Sequence, residues 1–262
     1  MISFQMNFKH CYKQFTLIYK LSISLIKNFN FSKIEFNHIL EQIKIIGPDS
    51  LSITIVTACF IGMVFTLQVV KEFLYFDMVN LLGSVFTIAF IRELSPVLTS
   101  VIIIGRIGSY FTAELATMKV TDQIDALYLL NVNPFFYLVA PRVLSSIFML
   151  PLLNIFSFAT SLSSSAFICF TLFDIDPFIF FTSSFSSLSF VDIIKSSCKT
   201  IIFGFFISMI SCSFGLKTTG GAKGVGISTT SSVVICLFVI FILDFILSYI
   251  MFNKLESLIK TL

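Results

Sequence analysis

Residues 78–105, which read MVNLLGSVFTIAFIRELSPVLTSVIIIG, decide the fold class of this chain. A helix needs about 20 mainly apolar residues to cross the hydrocarbon core of a bilayer. This stretch exceeds that length, and only Arg92 and Glu93 interrupt its apolar character. It therefore predicts a membrane-spanning helix that carries two charges near its middle.

The composition of the whole chain agrees with that prediction. Of the 262 residues, 56% are apolar and 12% are charged, with a mean hydropathy of +0.99, whereas a soluble protein carries about 25% charged residues. The net charge of +3 is too small to indicate a nucleic-acid partner. Six scattered cysteines without a C-x-x-C pair, and two histidines before the first apolar run, indicate neither a metal site nor a cofactor.

Four further apolar runs bring the expected number of spans to five: 50–70, 143–173, 200–216 and 224–243. The segment 177–191 is apolar but short and rich in Ser and Phe, so we expect an interfacial or re-entrant piece there. The predicted fold class is therefore all-α, a polytopic membrane protein with about five transmembrane helices. The basic bias of the N-terminal segment places the N-terminus on the cytoplasmic or stromal side.

The first 46 residues have a different pattern. Lys13, Lys20 and Lys27 recur every seven residues, with Lys9 one turn earlier, and apolar side chains fill much of the rest of such a helix. A basic face beside an apolar face is typical of an amphipathic helix lying in the membrane surface, and a flexible leader is the alternative. The chain is thus divided into a basic amphipathic segment, a membrane domain and a C-terminal tail: 1–46, 47–253 and 254–262.

The charged pair in the second span is energetically unfavourable unless it has partners. Charges near mid-span cost several kcal/mol unless they are paired or hydrated, and they usually mark function. Adjacent helix residues do not face each other, so Arg92 and Glu93 each need a partner of their own. The pattern favours a polar cavity, and a structural ion pair with another helix is the alternative. Pro96, one turn later, frees a backbone carbonyl of its helical donor.

A polar island, residues 112–134, separates two spans. Thr121 is the predicted N-cap of a short helix, and Asp122 in its first turn complements the helix dipole. An apolar stripe runs along that helix, formed by Ile124, Leu127 and Leu130. Such a helix on the cytoplasmic face is typical of a docking element for a soluble partner, and a loop helix packed on its own spans is the alternative.

Two motifs raise the question of an enzyme. Asp122 and Asp125 have the D-x-x-D form that can hold Mg²⁺ and a diphosphate, so a Mg²⁺-dependent intramembrane prenyltransferase stays open as an alternative. The Gly-rich segment 220–226 contains Lys223 but lacks the spacing and the Ser or Thr of a nucleotide-binding loop, and we expect a flexible loop there. No catalytic residue is assigned, and no ATP site is expected on this chain.

Five motifs resemble those of the MlaE-type permease family, in the family's order: RELSPVL (92–98), GRIGS (105–109), AELATMKVTDQIDAL (113–127), YLVAPRVL (137–144) and GGAKGVGISTT (220–230). The chain resembles in particular the plastid-encoded members found in algae. The family includes the permeases of plant chloroplast lipid import and of bacterial phospholipid transport. The bias towards Phe, Ile, Ser, Lys and Asn is typical of an AT-rich genome, such as that of a plastid or a reduced bacterium.

The resemblance implies a membrane permease subunit of an ATP-driven lipid transporter. Such subunits pair as homodimers, bind a separate ABC ATPase, and associate with an MCE-domain lipid-binding protein, while the substrate is a membrane lipid. ATP hydrolysis is then expected on the partner chain. The implied location is the plastid inner envelope, with a bacterial inner membrane as the alternative.

The resemblance also implies roles for individual residues. Residues 113–130 would form the coupling helix, with polar residues Glu114, Thr117, Lys119, Thr121, Asp122 and Asp125. The lipid pathway at the dimer interface would include Leu67, Val70, Phe73, Leu74, Arg92 and Glu93. A non-transporting scaffold subunit is a further alternative, but it would not need two charges in mid-span.

Overall fold

The computed structural model describes residues 36–252, which form helices joined by short turns, with no β-strand in that range. The α-helices in chain order are α1 Phe36–Ile46, α2 Pro48–Tyr75, α3 Leu82–Ala89, α4 Ser95–Ile103, α5 Ser109–Val120, α6 Gln123–Leu129, α7 Ala140–Phe173, α8 Pro177–Ser187, α9 Phe190–Leu216 and α10 Gly221–Phe252. Three π-helical segments and one 3-10 turn connect some of them: Phe90–Leu94, Ile104–Gly108, Phe135–Val139 and Val79–Leu81. The surface helix predicted around Lys9, Lys13, Lys20 and Lys27 lies outside the described residues.

Five helical stretches are long and apolar enough to cross a membrane: Asn37–Tyr75, Val79–Val120, Phe135–Phe173, Phe190–Leu216 and Gly221–Met251. They correspond in order to the five predicted apolar runs, which confirms the all-α, multi-pass fold class. Each observed stretch is longer than the run read from hydropathy. In the second, fourth and fifth spans, the helix continues into polar residues whose side chains have partners on other helices.

The second span illustrates this extension. Its helix continues to Val120, so the predicted polar island begins inside the span. Thr112, in that part, donates from Oγ1 to the carbonyl of Ser211 at 3.1 Å and contacts the hydroxyl of Ser232 at 2.9 Å. A buried hydroxyl with such partners avoids the desolvation penalty that would otherwise end a span.

The start of the fifth span also differs from the prediction. The Gly-rich segment is not a loop from Gly221 onwards, because α10 begins at that residue. Gly220 and Gly221 have φ values of +94° and +67°, which glycine adopts without steric cost. The turn is therefore completed in two residues, and the Gly224 amide already donates to the carbonyl of Gly220 at 3.3 Å.

The predicted cap of the short helix is wrong. The hydroxyl of Thr121 donates back to the carbonyl of Thr117 at 2.9 Å, so it belongs to the end of α5. Asp122 occupies the N-cap position of α6, and its side chain makes no capping hydrogen bond. Its φ of +58° places it in the left-handed region, where Asp is among the few tolerated residues. A reversal of the backbone, rather than a side-chain cap, thus begins α6.

The described chain divides into two compact units. The first contains residues 36–46, Ile103–Ser146 and Gly204–Val239; the second contains Gly47–Ile102, Ile147–Phe203 and residues 240–252. Several helices contribute residues to both units.

The core of the second unit is aromatic. The fully buried ring of Phe86 on α3 lies 5.1 Å from that of Phe65 on α2 and 5.9 Å from that of Phe180 on α8. Both contacts are edge-to-face, the arrangement that ring quadrupoles favour. The remaining buried members of this core are Val70, Leu82, Phe90, Ala166, Cys169 and Ile175.

Small residues allow the backbones of neighbouring helices in the second unit to approach closely, as is usual for helices packed in a membrane. A Cβ at Gly62 would lie 2.6 Å from the carbonyl oxygen of Ser161 on α7. A Cβ at Gly83 would overlap the backbone of α8 at Phe180. Helix α8, which contains most of the segment expected to be interfacial or re-entrant, is therefore packed closely on α3.

The first unit contains a similar approach between α5 and α9. A Cβ at Gly215 would lie 2.6 Å from the Cβ of Leu115. Helix α1 joins this unit through the carbonyl of Ile39, which accepts from the hydroxyl of Ser145 at 3.1 Å. These contacts connect α5 with α9, and α1 with the beginning of α7, within the first unit.

Candidate functional site

A buried lysine organises the charged residues of the second unit. The side chain of Lys199 on α9 is 0% exposed, and its ammonium lies 2.9 Å from Glu93 Oε2 and 2.6 Å from Asp244 Oδ1 on α10. It also donates to the hydroxyl of Ser248 at 2.7 Å, and that hydroxyl donates to Glu93 Oε2 at 2.9 Å. Residues far apart in sequence therefore converge on one cation.

Arg92 has a different partner. Its Nη2 donates to Asp192 Oδ2 at 3.1 Å, and the two side chains are 17% and 8% exposed. Arg92 and Glu93 thus turn to two different residues of α9, as expected for neighbours on a helix. Of the two predicted arrangements, the structure shows ion pairs with another helix. We name the set the Lys199 cluster: Arg92, Glu93, Asp192, Lys199, Asp244 and Ser248.

Pro96 explains one further contact of Lys199. Because proline has no N–H, Pro96 cannot donate to the carbonyl of Arg92, four residues earlier. Lys199 Nζ donates to that carbonyl oxygen at 3.1 Å. The charged pair itself lies in the π-helical segment Phe90–Leu94, and single π-helical turns within α-helices are frequent at functional sites.

The structure does not bring all the expected pathway residues to one surface. Leu67 and Leu74 of α2 are exposed and Phe73 is half-buried, whereas Val70 is fully buried in the aromatic core. Val70 therefore belongs to the core, and Phe73 packs against that core. Glu93 is 44% exposed despite its ion pair. Leu67 and Leu74 continue an exposed apolar stripe along α2 that also contains Ile53, Val56, Phe60 and Val64.

A second set of charges lies in the first unit, where Arg142 of α7 is the buried member. Its side chain is 3% exposed, and its Nη2 lies 2.7 Å from Glu114 Oε2 on α5. Nη1 donates to the carbonyl of Leu138 at 3.0 Å, and the guanidinium carbon lies 5.6 Å from the centroid of the Phe111 ring, within cation–π range. The sequence contained Arg142 within a family motif, but no local signal identified its partner.

Lys119 and Asp125 form the other ion pair of this unit. Lys119 Nζ lies 2.9 Å and 3.1 Å from the two carboxylate oxygens, and the side chains are 32% and 54% exposed. This pair joins the end of α5 to α6 across the left-handed Asp122. The hydroxyl of Thr117 donates to the carbonyl of Ala113 in the same helix. This hydrogen bond is therefore internal to α5. The α5–α6 cluster is defined as Phe111, Glu114, Lys119, Asp125 and Arg142.

Helix α6 exposes apolar side chains outside the five candidate spans. Ile124 is 3% exposed and anchors the helix, while Tyr128, Leu129 and Leu130 are 63%, 89% and 72% exposed. Of the predicted apolar stripe, Ile124 is buried, Leu127 is half-buried and Leu130 is exposed. Contiguous exposed apolar residues commonly mark an interaction surface.

The D-x-x-D motif is arranged differently from a metal site. Asp122 is exposed, and both carboxylate oxygens of Asp125 accept from Lys119. Within residues 36–252, no group of three or more His, Cys, Asp or Glu side chains is placed to hold a metal ion. The geometry therefore assigns Asp125 to a structural pair.

Known proteins match this chain along most of its length. The family described as Permease MlaE matches residues 39–250. Probable ABC transporter permease protein ycf63 of Pyropia yezoensis is 51% identical over 253 residues, 97% of this chain and 96% of that protein. Probable ABC transporter permease protein slr1045 of Synechocystis sp. is 46% identical over 221 residues, 84% of each chain.

A plant relative extends the same pattern. Protein trigalactosyldiacylglycerol 1, chloroplastic, of Arabidopsis thaliana is 45% identical over 228 residues, 87% of this chain and 65% of that protein. The family match includes both the Lys199 cluster and the α5–α6 cluster. This chain belongs to the MlaE permease family.

Proposed function

We propose that this chain is the permease subunit of an ATP-driven lipid transporter, in which two copies form a lipid pathway and a separate ABC ATPase drives it. Membership of the MlaE permease family supports the transporter assignment. Relatives from a red alga and a cyanobacterium are named as ABC transporter permeases. The name of the Arabidopsis relative contains that of a glycolipid, which supports a lipid as substrate.

The observation that carries the proposal is the apolar surface of α6, formed by Tyr128, Leu129 and Leu130. These side chains are exposed outside the candidate spans, so the bilayer core does not account for them. Ile124 and the Lys119–Asp125 pair hold α6 in place from the other side. A fixed apolar projection suits a groove on a soluble ATPase. Residues 113–130, which the structure divides between the end of α5 and α6, act together as the coupling element.

The α5–α6 cluster supplies a physical route from that surface into the spans. The Glu114–Arg142 pair joins α5, at the end of the second span, to α7 of the third span. A shift of α6 on closure of the ATPase dimer is therefore passed to two spans at once. Coupling between sites travels through such contiguous contacts.

The lipid pathway in this proposal follows the exposed apolar stripe of α2, where Leu67 and Leu74 lie. Phe73 and Val70 pack in the core behind this helix. We assign the half-exposed Glu93 to the same pathway as its polar residue. A second copy of the chain covers this stripe, and an MCE-domain lipid-binding protein continues the pathway beyond the membrane.

The location that fits the proposal is the inner envelope membrane of a plastid. The match to the algal relative covers 97% of this chain, and the Arabidopsis relative is named as chloroplastic. Cyanobacterial and rickettsial relatives make a bacterial inner membrane the alternative. In either membrane the ATPase binds on the cytoplasmic or stromal side.

Purification of the tagged chain from its native membrane in mild detergent tests the proposal. We expect an ATPase subunit at about one copy per permease, an MCE-domain protein and ATP hydrolysis by the complex. The variant Leu129→Ser should lose the ATPase subunit. The matched control is Phe178→Ser, which removes an apolar side chain that is 73% exposed on α8, also outside the five spans; this variant should retain it.

Two results would contradict the proposal at different levels. A wild-type chain that purifies alone, without ATP hydrolysis, removes the transporter assignment. If wild type binds an ATPase and both variants retain it equally, the transporter stands but α6 is not its docking element.

A further inference from the structure

A cavity of about 330 Å³ lies inside the second unit, among α3, α7, α8 and α9. Apolar side chains form most of its walls, including Ile91, Phe158, Leu162 and Phe181. Its volume lies at the lower end of the range of about 300–1,000 Å³ that is usual for small-molecule pockets. The residues that line it include neither those of the proposed lipid pathway nor those of the α5–α6 cluster.

The cavity opens onto the apolar exterior of the unit. Ile155 of α7 is 50% exposed and Phe185 of α8 is 72% exposed, and both line the cavity. Ile155 belongs to the third candidate span, so this opening meets the bilayer. Water is a poor occupant of the apolar part of the cavity, because a buried water needs 2–4 polar partners and apolar cavities stay dry. The available ligand is therefore an apolar chain from the membrane.

One end of the cavity carries hydrogen-bond donors. Asn154 and Ser196 line it and are 3% and 2% exposed. The Asn154 amide donates to Ser196 Oγ at 2.9 Å, and its oxygen accepts from Ser95 at 2.6 Å. An amide nitrogen has two N–H groups and a hydroxyl has one O–H. One amide N–H is thus left over, and within residues 36–252 the Ser196 hydroxyl proton has no acceptor.

Three other hydroxyls of the lining already have acceptors, and Ser197 adds a further hydroxyl beside Ser196. Those of Thr87, Ser163 and Ser184 each donate to a carbonyl of their own helix. No cationic side chain lines the cavity, so it offers nothing to a phosphate or a free carboxylate. The unsatisfied donors instead suit a neutral acceptor such as an ester carbonyl.

We propose that this cavity binds one acyl chain of a membrane glycerolipid inside each protomer. The hydrocarbon fills the apolar part, and the ester carbonyl oxygen accepts from Asn154 and Ser196. The bound chain stabilises α8 against α7 and α9, because it fills the space that these helices leave between them. This site is separate from the transport pathway and does not depend on the transport function.

Photolabelling of the purified protein tests the site. The probe is a diacyl phosphatidylcholine with a diazirine at the end of one acyl chain, presented in mixed micelles to the full-length chain. We expect labelled peptides from α7 and α8, centred on Phe158, Phe181 and Phe185. Ala159→Trp fills the cavity from α7 and should abolish this labelling. Thr171→Trp adds the same bulk at an exposed position of α7 outside the lining and should leave it unchanged.

A second filling variant and a polar variant complete the test. Ser163→Trp fills the cavity one turn further along α7, and it replaces Ala159→Trp if that protein elutes as aggregate. Ser196→Ala should weaken labelling about fivefold, the loss expected for one hydrogen bond. Labelling that persists in both filled variants overturns the site. Labelling by a diazirine fatty acid but not by the glycerolipid overturns the ester assignment.

Discussion

The Lys199 cluster and the α5–α6 cluster use the same kinds of ion pair but differ in burial. Lys199 is 0% exposed, whereas Lys119 and Asp125 are 32% and 54% exposed. The Glu114–Arg142 pair is intermediate, since a guanidinium that is 3% exposed meets a carboxylate that is 34% exposed. The Lys199 cluster therefore has a fully buried cation, although its Glu93 carboxylate is 44% exposed. The α5–α6 cluster ranges from the buried Arg142 to the exposed Asp125.

This difference teaches that the consequence of an ion pair depends on the state left when it is broken. An exposed pair contributes about 0–1 kcal/mol, because water replaces the lost partner. A buried charge without its partner costs about 3–5 kcal/mol, because nothing replaces it. We therefore expect the Lys199 cluster to hold helices together, and the α5–α6 cluster to position a surface.

The largest effect is expected from Lys199→Met, which leaves Glu93 and Asp244 without their cation. The free energy of unfolding in detergent should fall by about 3–5 kcal/mol. Lys71→Met, which changes an exposed lysine of α2, serves as control and should have a much smaller effect. The triple variant with Glu93→Gln and Asp244→Asn should regain most of the loss. If it does not, packing rather than charge explains the first result.

Breaking the Arg92–Asp192 pair should have the next largest effect. Arg92→Met leaves the carboxylate of Asp192, 8% exposed, without its partner and should destabilise the protein by about 3 kcal/mol. A double-mutant cycle with Asp192→Asn measures the coupling between the two residues. Additive losses would show that the pair makes no energetic contribution and would weaken the contrast drawn above.

Arg142→Lys tests the intermediate pair. Lysine keeps the charge but loses the planar fork that reaches both Glu114 and the carbonyl of Leu138. We expect a loss of about 2 kcal/mol, in the range for hydrogen bonds to charged groups, measured by thermal unfolding in detergent. Retention of the ATPase subunit should decrease in parallel. An unchanged melting curve would show that the charge alone is sufficient at this position.

The smallest effect on stability is expected from Lys119→Ala. Because the pair is exposed, the free energy of unfolding should change by less than about 1 kcal/mol, and high salt should remove the difference. Binding of the ATPase should nevertheless weaken, since α6 loses the ion pair that connects it to α5. The exchanged variant Lys119→Asp/Asp125→Lys should restore binding; a failure to restore it would assign Lys119 a direct contact with the partner.

Much of the fold was predictable because hydropathy is a local property. Five apolar runs predicted five spans, and the cost of Arg92 and Glu93 in mid-span correctly predicted that each needs its own partner. The boundaries were predicted less well. Thr112 lies inside a span because its hydroxyl contacts the carbonyl of Ser211 and the hydroxyl of Ser232. These residues lie far from Thr112 in the sequence, so no local pattern predicts the contacts.

The candidate site divides in the same way. By itself the sequence determined which charges lie in the membrane, that Pro96 frees a carbonyl, and that a short helix follows the second span. Only the tertiary structure decided that Lys199 occupies that carbonyl, that Arg142 pairs with Glu114, and that Val70 lies in the core. The physical reason is that helix formation and membrane insertion depend on neighbours within a few turns. The pairing of buried charges depends instead on which helices pack together, and Lys199 and the Arg92 carbonyl are 107 residues apart.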